Sequence, residues 1–256
     1  MTKAVQTIER AFKIIEILGN ADYYLGISEI AQRSDLPLAT THRLLATLLK
    51  LGYVEQNPET NKYTLGVHIL QLRGAVIEQL NLGIQAMPIM KMLMDRVGET
   101  VHLAVLNEGE IVYIERVEGL RTQGMYTRIG KRAPAHCTAL GKVMLSNLPE
   151  EFWYEDVVNR RGLRSFSETT ITSVNVLRQE LQRTRERGYA VDNGETGERV
   201  RCVAAPIRDY TGQVVAALSI SGPQTQITAD RVPDLGQSVC KAADMISNKL
   251  GFAVSR

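Results

Sequence analysis

Cysteine is scarce in this 256-residue chain. Only Cys137, Cys202 and Cys240 occur, odd in number and far apart, without the paired spacing of a zinc ribbon or a redox CxxC. They read as reduced thiols, and neither a metal nor a cofactor is expected. Also absent is an apolar run long enough to span a bilayer, and the N-terminal MTKAVQTIERAFK is amphipathic rather than a signal peptide. A cytoplasmic protein with no membrane partner is therefore expected. Internal repeats and low-complexity segments are missing too, and 44% hydrophobic with 23% charged residues argues against disorder. Strong charge is lacking as well: the formal net charge is +2, and residues 1–65 carry seven basic against seven acidic side chains. A globally basic nucleic-acid binder is excluded, so any DNA contact has to come from placement. The length exceeds that of a usual single domain, which makes two domains the expectation.

What is present is organised around LPLATTHRLLATLLKLGYV, residues 36–54, read as one amphipathic helix. At roughly 100° per residue, Leu44, Leu45, Leu48 and Leu49 fall on one face with Thr41. The other face carries Ala39, Thr40, Arg43, Ala46, Thr47 and Lys50, and the stretch contains no acid. Such a helix is ordinary core packing in most proteins; its neighbours decide the matter here. Before it lies a short helix, Ile27 to Arg33, with Ser28 as N-cap and Glu29 in the first turn, broken at Ser34-Asp35-Leu36-Pro37. After it comes Gly52, then Tyr53–Gln56 and Lys62–Leu65 around an Asn57–Asn61 turn, a hairpin. Helix, turn, helix and hairpin in that order describe a winged helix-turn-helix. The outward positions assign Thr40 and Arg43 to base edges, Ala39 to close approach, and His42, Lys50 and Lys62 to phosphate. With no net charge, each head should bind DNA modestly and gain strength as a dimer on a palindromic site.

Elsewhere the first helix, about Val5 to Leu18, places Ile8, Phe12, Ile15 and Leu18 on one face to pack on this unit. Residues 66–82 read as a linker helix. A Met-rich helix ends near Gly98, two strands flank the Asn107–Glu110 turn, and 121–129 reads as another strand. Helices follow at 139–145 and 150–161, and at 174–187 between Ser173 and Gly188. Strands at 189–192, 200–207 and 214–221 precede a final helix from about Ala229 to Leu250. Strands joined mostly by hairpins indicate an antiparallel α+β domain.

The blocks IERAFKIIEIL, ISEIAQRSDLPLATTHRLLATLLKLGYV, RIGKRAPAHCTALGKVML, RGYAVDNGETGERVRCVAAPI and VVAALSISGP, in that order, resemble the IclR family of bacterial transcriptional regulators. The resemblance spans nearly the whole chain. It implies a DNA-binding domain over 1–65, a linker helix over 66–82, and an effector-binding and oligomerisation domain over 83–256. The last would have a GAF-like or profilin-like antiparallel sheet flanked by helices, in a homodimer or homotetramer. It also implies an effector pocket: Ala139 and Leu140 through backbone amides at a helix start, Asp192, Cys202, Ser219 and Ser221 as polar lining, and Met125, Ala133 and Val200 as apolar wall. Ala139-Leu140 stands where some members have Gly-Ala, which argues against a ligand as small as glyoxylate. MYTRIGKRAPAH resembles the branch that responds to 2-keto-3-deoxygluconate, so a sugar-derived keto acid is the expected effector, with aromatic acids as the alternative.

The chain thus reads as a regulator, more specifically a repressor, that binds double-stranded operator DNA under control of a small organic acid. A rival class, an enzyme using Cys202 or Cys137 with His136, would need a lowered thiol pKa and a group orienting the histidine; the sequence offers neither. His136 reads as a structural hydrogen bonder. Arg128, Lys131 and Arg132 are either solvated or placed at the pocket mouth. A third class is an interaction module with a degenerate DNA head.

Overall fold

The computed structural model describes residues 5–21, 23–72, 82–119, 127–197 and 199–252. The chain divides into two units, Met1–Leu80 and Asn81–Arg256.

In the first unit, α1 (Gln6–Gly19), α2 (Ile27–Ser34) and α3 (Leu38–Lys50) surround a core of Ile14, Leu18, Leu25, Ile30, Leu44, Leu45 and Leu48, closed by Val54 and Tyr63. A hairpin of β1 (Val54–Gln56) and β2 (Tyr63–Leu65) follows, and Leu25 pairs with Tyr63 as a further bridge. At its tip Asn57 Oδ1 accepts from the amides of Glu59 and Thr60. Three expectations are corrected. The helix read over 36–54 spans Leu38–Lys50, because Pro37 precedes its first turn and Gly52, at φ +76°, lets the backbone turn into β1. The N-cap of α2 is Gly26, with Ser28 inside the helix. In α1 Leu18 is buried and Ile15 packs on the same core as expected, but Ile14 takes the central place, whereas Ile8 and Phe12 are exposed at 55% and 59%.

The second unit is built on a six-stranded antiparallel sheet ordered β5-β4-β3-β8-β7-β6, comprising β3 (Thr100–Asn107), β4 (Glu110–Val117), β5 (Arg132–Pro134), β6 (Ala190–Asn193), β7 (Val200–Arg208) and β8 (Val214–Pro223). Strand alternation gives the sheet two unlike faces. Val101, Leu103, Val203, Ala205, Leu218 and Ile220 point to one side and are buried by α4 (Leu82–Val97) and by a helix near the C-terminus, Val232–Lys249. On the other side Ala104, Ala190, Ala204 and Ala217 form a carpet of small residues on which α5 (Ala139–Leu145) lies through Leu140, Val143 and Met144. A bulge in β4 leaves Ile114 unopposed, sending it to the first core while Tyr113 stays opposite Ala104 on the α5 side. Behind α5, α6 (Glu150–Trp153), a π-helical stretch Tyr154–Arg161 and α7 (Val174–Arg187) enclose a smaller core around Trp153, Leu177 and Leu181. The helix Val232–Lys249 is α8, preceded by one 3-10 turn.

Of the expected linker helix, 68–72 is helical and 73–81 lies outside the described residues. The strand expected over 121–129 falls largely there too, and the short β5 takes its place in the sheet.

One close approach fixes α5. A Cβ on Gly141 would sit 2.2 Å from the carbonyl oxygen of Ala135. Gly141→Ala is therefore expected to destabilise the second unit by about 3 kcal/mol, since backbone rather than a flexible side chain must move; a melting curve that matches wild type would contradict this packing.

Candidate functional site

The helix α3 presents Ala39, His42, Arg43 and Lys50 to solvent, with Thr40 half-buried, while Thr41, Leu44, Leu45 and Leu48 are buried behind them. Lys62 is exposed beside the hairpin tip. Among the described residues no acid lies on α3, so its outer face carries positive charge although the unit is neutral overall. Thr47, also outward, spends its hydroxyl on the Arg43 carbonyl at 3.0 Å.

In the second unit, a cavity of about 220 Å³ opens on the α5 side of the sheet. Its lining includes Ala133, Ala139, Leu140, Asp192, Val200, Cys202, Ser219 and Ser221, which are all the expected pocket residues that the structure describes. Met125 lies outside the described residues. Sheet register brings these distant positions together: Cys202 pairs with both Asp192 and Ser221, and Ser219 with Ala204 and His102. The polar floor is thus one residue pair along the strands from the alanine carpet. Ser219 and Ser221 hydroxyls lie 3.4 Å apart. The first turn of α5 forms the opposite wall, and Thr138 Oγ1 accepts from the Gly141 amide at 3.1 Å as its N-cap.

Asp192 is 1% exposed and serves its own loop: Oδ1 accepts from the Glu195 amide at 2.7 Å and Oδ2 from the Thr196 hydroxyl at 2.9 Å. Burial raises its pKa, against the pull of those two bonds and of Lys142. The loop it holds supplies Thr196 and Gly197 to the cavity wall. Lys142, 1% exposed, donates from α5 to the Val191 carbonyl and to Glu195 Oε1. Burial also raises the Glu195 carboxyl, with Lys142 opposing.

Sequence reasoning missed His102, Tyr113, Thr127, Thr138, Thr196 and Gly197 as lining. The alternation of His102 with Leu103 carried a signal that His102 faces away from the aliphatic core, but Ser219, its cavity-lining neighbour across the sheet, is more than a hundred residues away. Of the three cations considered for the mouth, Lys131 lines the cavity, whereas Arg132 is bound to Glu110 at 2.8 Å and to Asn107. His136 donates from Nε2 to the Arg164 carbonyl, 3.0 Å away, which is the structural role expected. The thiols are the reverse of activated: burial pushes Cys137 up to about 12 and Cys202 higher still.

Comparison with known proteins follows the same division. Residues 7–58 match the IclR helix-turn-helix domain, and residues 74–248 match the bacterial transcriptional regulator IclR C-terminal domain. The chain belongs to the IclR family. It is a transcriptional regulator with a DNA-binding helix-turn-helix domain, in a family of regulators rather than enzymes. IclR relatives include the acetate operon repressor of Salmonella typhimurium, 36% identical over 98% of this chain and 92% of that protein. The regulator KdgR of Escherichia coli is 34% identical over 97% of this chain and 94% of its own. An IclR homologue from Microbacterium hydrocarbonoxydans, solved in complex with 4-hydroxybenzoate, aligns at TM-score 0.83 and 28% identity, covering 95% of this chain and 98% of that one.

The buried histidine gives a pH test. Burial, with Arg116 nearby, lowers the His102 pKa from 6.5 to about 4. Between these values the unfolded chain holds a proton that the folded domain does not. Stability is then full above pH 6.5 and falls by about 3 kcal/mol as the pH drops to 4. Melting across this window should be less pH-dependent in His102→Phe than in wild type; equal slopes would refute the assignment.

Proposed function

We propose that this protein is a cytoplasmic repressor that holds double-stranded operator DNA through α3 and the hairpin, and whose operator affinity is set by a small organic acid in the second-unit cavity. The observation that carries this reading is the cavity itself. Pocket positions drawn from three separate blocks converge on it, with hydroxyls and a carboxylate on the floor and alanine, leucine and valine on the walls. At about 220 Å³ it lies below the range typical of drug-sized ligands, which suits a metabolite. The oxygen-rich lining favours a sugar-derived keto acid. The 4-hydroxybenzoate bound by the Microbacterium homologue favours an aromatic acid as the second candidate.

On the DNA side, Thr40 and Arg43 read base edges, Ala39 permits close approach, and His42, Lys50 and Lys62 hold phosphate. A homodimer or homotetramer is part of this reading: Val5, Ile8 and Phe12 form an exposed apolar stripe at helical spacing, 55–61% exposed. The division of labour is a DNA-binding domain over 1–65, a linker over 66–82 and an effector domain over 83–256. For control to be allosteric, the acid must bind the free and DNA-bound protein with different affinity.

Two outcomes test this. Arg43→Ala should weaken operator binding by about 1–3 kcal/mol in a footprinting titration, the worth of a bidentate arginine–guanine contact, with the fold unchanged; undiminished protection would remove α3 from the interface. In a thermal-shift screen of keto, sugar and aromatic acids, one chemical class should stabilise wild type by roughly 2.7 kcal/mol at about 100 times its dissociation constant. Ser219→Ala should reduce that shift. Stabilisation that survives Ser219→Ala intact would place the ligand elsewhere.

A further inference from the structure

The expected pocket residues leave out a buried polar side chain on the cavity floor whose bonding capacity is unused. His102 lies on β3, 2% exposed, and lines the cavity. Neither its Nδ1 nor its Nε2 has a hydrogen-bond partner among the described residues. Buried ring nitrogens are ordinarily paired, and a neutral imidazole offers one donor and one acceptor. The neighbours explain why the protein itself does not supply the partner. Arg116, opposite His102 across the sheet, gives its guanidinium to the Thr127 carbonyl at 2.8 Å and to Glu118. Tyr113 meets the imidazole edge to face at 5.2 Å, contributing a ring surface and no bond to its nitrogens. On the other side, Ser219 is the cross-strand partner, and its hydroxyl lies 3.4 Å from that of Ser221. Asp192, by contrast, has both carboxylate oxygens engaged by its own loop.

We propose that His102 is a ligand-contacting, specificity-determining residue of the cavity, giving a ring hydrogen bond to a carboxylate, keto or hydroxyl oxygen of the bound acid beside Ser219. This rests on the cavity being the effector site. The ligand class it selects is a compact acid with more than one oxygen function, because the unpartnered imidazole and the Ser219–Ser221 pair are separate polar positions in one cavity. The residue is held there against folding stability: an apolar ring of similar shape satisfies the same packing without buried unpaired nitrogens.

The test uses the full-length protein with 2-keto-3-deoxygluconate and 4-hydroxybenzoate as probes, measured by calorimetry on wild type, His102→Phe, His102→Gln and Ser219→Ala. The expected result is that the probe which binds wild type loses roughly ten- to a hundredfold in affinity in His102→Phe, and less in His102→Gln, which keeps a donor and an acceptor. Without ligand, His102→Phe should melt about 2 to 4 °C higher at neutral pH. Binding by His102→Phe within twofold of wild type, with Ser219→Ala impaired, overturns the role of His102 and leaves the cavity reading standing. Full binding by both variants overturns the cavity reading and this inference with it. Failure of both probes to bind wild type at millimolar concentration overturns the ligand class. Should His102→Phe fold poorly, the histidine 15N spectrum of wild type decides: saturation with the bound probe shifts the ring-nitrogen signals of His102, one of four histidines in the chain, and unchanged signals overturn the proposal.

Discussion

An ammonium group that is almost wholly removed from water has to be held by several acceptors, and Lys142 imposes that condition on everything around the cavity. Its Nζ is bonded to the Val191 carbonyl of β6 and the Glu195 carboxylate, with Glu180 of α7 at 3.9 Å. One side chain thereby joins α5, an edge strand, the 194–197 loop and a second-layer helix. Breaking such a pair by removing one partner typically costs about 3–5 kcal/mol, whereas an apolar replacement of the whole pair is often neutral. Its value here lies in position. Residues 139 and 140 on the lysine's own helix, and 196 and 197 on the glutamate's loop, all line the cavity.

The same loop is gripped from a third side. Thr170 donates to the Glu195 carbonyl at 2.6 Å and Ser167 to the Gly194 carbonyl at 2.7 Å. An irregular segment that has to pass through the interior needs its backbone groups satisfied, and these hydroxyls do so. Two structural requirements therefore meet in one place. Small residues at 104, 190, 204 and 217 let α5 approach the sheet closely. One residue pair along the strands, polar side chains replace the alanines, and the first turn of α5 covers a cavity there.

Much of this was legible in the sequence where the signal is local and periodic. The α3 faces follow from a 3.6-residue repeat, the hairpins from Asn and Gly turns, and the α7 end from Gly188 at φ +80°. Local signals also misled. Ser28 is a good capping residue, yet the turn of bonding begins at Gly26, whose carbonyl accepts from the Ile30 amide at 3.0 Å. In α1 two apolar stripes overlap, and Ile14 with Leu18 packs inward while the more conspicuous Ile8 and Phe12 remain outside. Lys142 and Glu195 are 53 positions apart, and His102 and Ser219 more than a hundred. No periodicity in one strand reports its register with another. The pocket positions follow from family resemblance, which carries register implicitly, and His102 is not among the positions that this resemblance supplies.

The bonds of Asp192 indicate how occupancy of the cavity would be felt beyond it. Its two oxygens already hold the Glu195 amide and the Thr196 hydroxyl, and a carboxylate has spare lone pairs but a finite charge to share. An acid whose hydroxyl donates to Asp192 weakens those loop bonds, while the negative charge of the acid itself raises the cost of keeping Asp192 ionised. Either change acts on Glu195, the side chain to which Lys142 donates inside the protein. The cavity, its wall loop and the helix above it are consequently parts of one electrostatic unit. In such a unit, differential ligand affinity requires only that the unit have two arrangements of these bonds, one favoured by the ligand and one without it.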